Sequence, residues 1–256
     1  MLRAMLRIGK YRTLGLAGLV AVVAMLVVAS VGAASASAAC PVVGGKEQPC
    51  YVPKKGVFPV KFTSAGGEKF LYSTESGAKA TIKCTSNTDT GELTGPRSDT
   101  DTVTFTGCEE VEPFKGKCTT KGQAEGTIKT QTLSSKPVYL GKGEKASEGV
   151  GIDLTGAGTG ELEAEFECPG LFGNITIKVT KSVIGKVVSK LNEMSKTAEL
   201  SFKCKAVGST EQEPKSYWEG GVEVKDFLLS NGSEACEEEK ANDTITFTNE
   251  EVELKA

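Results

Sequence analysis

In the run ELEAEFEC, Glu161, Glu163, Glu165 and Glu167 alternate with Leu162, Ala164, Phe166 and Cys168, and this row of carboxylates is the obvious candidate for acid–base work. On an extended strand, residues two apart stand about 6.6 to 6.8 Å apart at their backbones, from which flexible side chains reach the separations that glycosidases use. The same alternation argues the other way. A strand with one wet face sends all four glutamates outward, where water keeps them ionised and lysines such as Lys178 and Lys203 on nearby strands pair with them. The expectation is a solvated face, with Leu162, Ala164 and Phe166 in the core.

Other polar clusters are weaker. Asn87, Asp89 and Glu92, with Asp99 and Asp101 beyond, supply hard oxygens, yet their spacing does not match a calcium loop, and Asx turns beside glycine explain them equally well. Tyr217 and Trp218, the latter the single tryptophan, form a candidate ligand surface, since exposed aromatic rings stack on sugars; the competing expectation is a core or end-plug role. The chain has no histidine. That composition removes Ser-His-Asp and Cys-His catalysis, HExxH zinc sites and imidazole proton shuttles, and no Walker loop or GxGxxG is present. No catalytic, cofactor-binding or metal-ligating residue is assigned, and no cofactor is expected.

The chain has eight cysteines, Cys40, Cys50, Cys84, Cys108, Cys118, Cys168, Cys204 and Cys236. Their number is even, they include no CxxC and they lack the histidine of a mixed zinc site, so up to four disulfides in an oxidising compartment are the expectation. Parity places Cys84, Cys168 and Cys204 on core faces, whereas Cys108 and Cys118 flank a short polar loop. The pairing expected from this is 40 with 50, 108 with 118, 84 with 168 and 204 with 236.

The elements that must position these residues are strands. Alternation marks 57–63, 69–73, 80–85, 102–107, 126–133, 149–154, 161–168, 197–205, 221–229 and 244–248, and Ile175, Ile177 and Val179 predict a hairpin partner for 161–168. Between Cys84 and Cys108, the residues Asn87, Asp89, Gly91, Gly95 and Pro96 read as turn chemistry. Val183, Ile184, Val187, Val188, Leu191 and Met194 recur at helical spacing behind Ser182, predicting one short helix over 183–194, against which Gly185 and the β-branched residues argue. An internal echo, DTVTFT at 101–106 and DTITFT at 243–248, leaves a duplication open. The expected fold is all-β: two packed antiparallel sheets, sandwich-like and disulfide-crosslinked, over 57–256, with a division near 134–148 left open and a Pro-rich strip at 39–56 before it.

Arg3, Arg7, Lys10 and Arg12 precede an apolar run over 14–31 and the small-residue site Ala36-Ser37-Ala38, the pattern of a secretory signal over 1–38. Retention as a membrane anchor and lipidation at Cys40 are the alternatives. Without those four basic residues, 26 basic residues face 33 acidic ones, a net charge of −7. A surface of that sign disfavours nucleic acid as a partner.

The segments CTSNTDTGELTGP with TFTGCE, and FECPGLFGNITIKVTKSVIGKVVSKLNEMSK followed by YWEGG, resemble an uncharacterised family of exported, cysteine-containing, β-rich proteins of high-GC Gram-positive soil bacteria. The likeness covers most of the chain after residue 38. It implies export and one recurrent β-rich architecture and transfers no site; Cys204 and Cys236 stand outside the shared pattern, which favours their pairing with each other. The expectation is an exported protein, secreted or in the cell envelope, with a structural or binding role and no enzymatic activity. A cell-wall glycan or another envelope protein is the expected kind of partner, and a glycan-active enzyme using paired carboxylates is the alternative.

Overall fold

The computed structural model describes residues 39–75, 77–158 and 161–256; the expected signal segment lies outside the described residues. Eight strands dominate: β1 (Val60–Gly66), β2 (Ser86–Gly95), β3 (Ser98–Thr106), β4 (Leu133–Tyr139), β5 (Val150–Gly156), β6 (Gly173–Val187), β7 (Thr197–Ser201) and β8 (Asp243–Phe247). Each pairs antiparallel with the next in the chain, and β8 returns to β1 through Phe247 opposite Phe62 and Ile245 opposite Ser64. The result is a closed eight-stranded up-and-down barrel. It corrects the expectation of two packed sheets. Closure removes the strand edges that a sandwich would leave, and the pairings that achieve it, β3 with β4 and β8 with β1, carry no signature in local alternation.

Alternation does explain the strands themselves. Along β2 and β3, Thr88, Thr90, Thr102, Thr104 and Thr106 face away from the barrel axis, β-branched residues suited to an outer pleated surface, while Leu93 and Val103 are buried inside. The segment read as turn chemistry is thus a ten-residue strand, and the reversal itself is confined to Pro96 and Arg97.

No α-helix occurs among the described residues, and the helix expected over 183–194 is absent. Residues 183–187 finish β6, where Val183 pairs with Leu154, Gly185 with Ile152, and Val187 with Leu200. By staying extended, Val183 and Ile184 join the β5 ladder and Val187 the β7 ladder, which outweighs a helical stripe of β-branched residues. Gly185 is required there: a Cβ would lie 2.7 Å from the Phe202 ring.

Both barrel ends are covered. At the end holding the β2–β3 turn, strands Cys50–Pro53 and Val252–Lys255 pair with each other, and the Tyr51 N–H donates to the Pro96 carbonyl at 2.7 Å. At the other end sits a five-stranded sheet containing Lys69–Glu75 and Ala78–Cys84, together with the hairpin of Leu162–Gly170 on the first half of β6. One apolar cluster runs through all of these, from Tyr51 and Val252 through the barrel to Ile82 and Phe166. A smaller cluster of Val138, Ile184 and Tyr217 packs on the outer wall.

All eight cysteines are bonded. Cys40–Cys50 and Cys204–Cys236 are as expected, but Cys84 pairs with Cys108 and Cys118 with Cys168, in place of 84–168 and 108–118. The reason is the barrel: Cys84 and Cys108 lie just outside the paired ends of β2 and β3, where Ser86 faces Thr106, so their Cα atoms come within 4.0 Å. Cys118 is then carried to the hairpin strand, where Thr119 bridges Glu167.

Candidate functional site

The barrel interior holds a cavity of about 140 Å³. Its walls are apolar where β5, β6 and β7 supply Ile152, Leu154, Val183, Val187 and Leu200. The opposite arc is not. There β2 and β3 turn Asn87, Asp89, Asp99 and Asp101 inward, with Ser64 of β1 and Ser135 of β4 beside them. The lining extends to Ser189, Lys190, Glu193 and Ser195 of the β6–β7 loop, where the Lys190 and Glu193 side chains stand in solvent.

Register fixes the polar arc. Asp101 faces Gly91 on one side and Leu133 on the other; Asp99 faces Leu93 and Ser135; Asp89 faces Ser64 and Val103. Asp99 is well held, its Oδ1 accepting from the Ser135 N–H at 2.8 Å and its Oδ2 from the Ser135 hydroxyl at 2.5 Å. Asp101 is not. Its side chain is 6% exposed, and Oδ1 has no hydrogen-bond partner among the described residues; the same holds for Oδ1 of Asp89, Oδ1 of Asn87 and Oε1 of Glu163. Burial pushes Asp101 up to about 8, with Asp89 and Asp99 adding repulsion. Asp89 rises to about 7, chiefly through burial, against the opposing effect of Ser64. The Tyr51 phenol, closing the end above Asp99 and Asp101, is raised well above its ordinary value by burial and by these carboxylates.

Buried charge is one-sided, although Glu144, Glu250 and Asp153 lie outside the cavity lining with partners of their own. Among the described residues nine acidic side chains are buried, against one lysine, Lys69. That lysine is already committed. Its Nζ donates to Asp243 Oδ2 at 2.8 Å and to Glu239, with Glu237 at 3.6 Å. Burial would lower its pKa, and these carboxylates overcome that and raise it. Asn87 Nδ2 donates to the same Asp243 oxygen at 3.2 Å, so this network closes the far end of the polar arc. Among the described residues Asp89, Asp99 and Asp101 have no such cation.

The glutamate row of the 162–170 strand does not act as one face. Glu165 and Glu167 are exposed as expected, Glu165 pairing with Lys178 at 3.2 Å, and Glu161 pairs with Lys181 at 2.7 Å. Glu163 is different. The register slips between Leu162 and Ala164, and the extra residue turns inward, leaving Glu163 buried against the cavity. Burial raises its pKa well above the carboxylate range. Lys203 joins none of these pairs; its strand faces Gln212 and Glu213.

Tyr217 and Trp218 do not share a surface. Tyr217 is buried in the outer-wall cluster under Lys136, whose Nζ lies 4.7 Å from the ring centre, while Trp218 pairs with Tyr139 and is half-buried. The inward acids escape a local reading because Asn87 and Asp89 beside glycine look like turn residues; the signal that marks them is parity, since Asn87, Asp89, Gly91 and Leu93 share one face and Asp99, Asp101, Val103 and Phe105 share another. Among the described residues no three His, Cys, Asp or Glu side chains converge to hold a metal ion. Comparison with protein-family models, curated proteins and solved structures finds no match to this chain.

Proposed function

We propose that this is an extracellular binding protein that holds a small ligand inside its barrel. The observation that carries the reading is the cavity of about 140 Å³ with unpartnered polar atoms in its wall. Small eight-stranded barrels either fill their interior with side chains or keep room for one small ligand, and apolar walls with a few placed polar groups are the usual make-up of such sites. Buried polar atoms are normally hydrogen-bonded, so several unpartnered ones on one cavity wall are consistent with groups satisfied by a guest. Four disulfides support an oxidising, extracellular setting, and the basic and apolar pattern of residues 1–38 supports export.

The test is a thermal-shift screen of small organic molecules on the wild type and on Val103→Phe, which places a ring in the cavity. A bound ligand stabilises by RT ln(1 + [L]/Kd), so true occupants raise the melting temperature of the wild type and lose that effect in the variant. Stabilising compounds that act equally on both proteins, or none at all, would contradict binding in the barrel.

A further inference from the structure

Resting on the reading of the barrel as a ligand-binding cavity, we infer that the ligand is a small organic cation, an ammonium or guanidinium group on a compact apolar body, with the charge against Asp101 and Phe62. The geometry begins at Gly91. A Cβ there would lie 2.5 Å from the Thr100 carbonyl oxygen, 2.6 Å from Phe62 Cζ and 2.7 Å from Asp101 Cβ, so the ring tip and the carboxylate stem both pack over Gly91, and both side chains line the same cavity. Phe247 pairs with Phe62 on the next strand, and the Tyr51 phenol closes the end above. Aromatic rings and carboxylates lining one cavity, out of bulk water, are the groups by which organic cations are recognised.

Charge selects the sign. Asp89, Asp99 and Asp101 line one arc of the cavity, and Lys69 is held by Asp243, Glu239 and Glu237. Burial keeps Asp89 and Asp101 protonated well above the usual carboxylate range while they lack a partner; a cation beside them lets them ionise, whereas an anionic guest would only add like charge. Asn87, itself 3% exposed, adds an unpartnered amide oxygen on the same wall, an acceptor suited to an N–H donor. A metal ion fits less well, because among the described residues the carboxylates are spread along the arc and nowhere gather three at a time. Size selects the body: a dry cavity of about 150 Å³ takes benzene, so this one suits roughly a benzene-sized body with its head group on the polar arc.

The experiment is calorimetric titration of the disulfide-intact protein with three matched probes: benzylamine, benzyl alcohol and benzoate. Benzylamine is expected to bind about tenfold or more tightly than benzyl alcohol, as hydrogen bonds to charged groups imply, with benzoate below detection. Asp101→Asn should shrink the amine preference to about twofold, and Asp89→Asn, as a second variant, should shrink it as well. Equal binding of benzylamine and benzyl alcohol, or an unchanged preference in variants that fold, would overturn the cationic ligand and leave the cavity reading standing. No binding by any probe would also overturn the cationic ligand, and the cavity reading falls with it only if the Val103→Phe screen is negative too.

Discussion

Asp101 faces Gly91 across the β2–β3 ladder, and the absent side chain on the glycine leaves room for the Thr100 carbonyl, the Phe62 ring tip and the Asp101 stem together. Gly91→Ala is therefore expected to force the ring and Asp101 apart. Overpacking of this kind costs about 1 to 3 kcal/mol. Chemical denaturation of the variant measures it, and an unchanged midpoint would contradict the tight packing of Thr100, Phe62 and Asp101 over Gly91.

Stability should fall as pH rises. Asp89 and Asp101 have folded-state values of about 7 and about 8 against an ordinary 3.8. Between those limits the folded protein keeps protons that the unfolded chain has released. Their stabilising contribution is complete below about pH 4 and lost as pH climbs through about 8, at up to about 1.4 kcal/mol per unit for each group. Asp153, raised to about 6, and Glu239, raised to about 7, both chiefly by burial, act in the same sense. Asp101→Asn should flatten the profile and be more stable than the wild type above about pH 8. Equilibrium unfolding across this range decides it, and a wild-type curve that rises with pH would refute the burial of these groups.

Glu163 and Glu165 should respond oppositely to the same substitution. Glu163 is buried at the bulge without a partner for Oε1, so Glu163→Gln removes the cost of a buried ionisable group and should stabilise by about 1 to 3 kcal/mol near pH 8. Glu165 is exposed beside Lys178, and Glu165→Gln should change stability by less than about 0.5 kcal/mol. Paired melting curves test the contrast, which equal shifts would contradict.

What was legible in the chain follows from what alternation encodes. Val103 and Phe105 against Thr102, Thr104 and Thr106 declare a strand, and Phe166 and Cys168 declare an inner face, because core and solvent sides differ in polarity. The same rule hides β2, whose inner face carries Asn87 and Asp89 and looks like its outer one. It also misplaces Glu163, since one slipped residue at Leu162–Ala164 reverses parity locally. The echo of DTVTFT and DTITFT acquires a physical meaning only in the barrel, where Asp101 and Asp243 both point inward at the head of Val103 and Phe105, and of Ile245 and Phe247. Closure and disulfide pairing depend on which strands meet, information that lies in contacts far apart in sequence.

The Cys118–Cys168 bond should be the most consequential of the four. It closes the longest segment, 50 residues, and by loop entropy restrains the unfolded chain by about 4 kcal/mol. Replacing both cysteines with Ala is expected to cost about 2 to 5 kcal/mol, and non-reducing peptide mapping of the wild type should recover the 118–168 and 84–108 pairs. Recovery of an 84–168 peptide would refute the barrel-end geometry.

Intermolecular nuclear Overhauser effects from benzylamine to the disulfide-intact protein locate the guest most directly. Contacts from the probe's ring to Phe62, Leu93 and Val103, with a carboxyl carbon shift at Asp101, are the expected result. Contacts confined to outer residues such as Thr88 and Thr102, with Asp101 unmoved, would contradict a cation held inside the barrel.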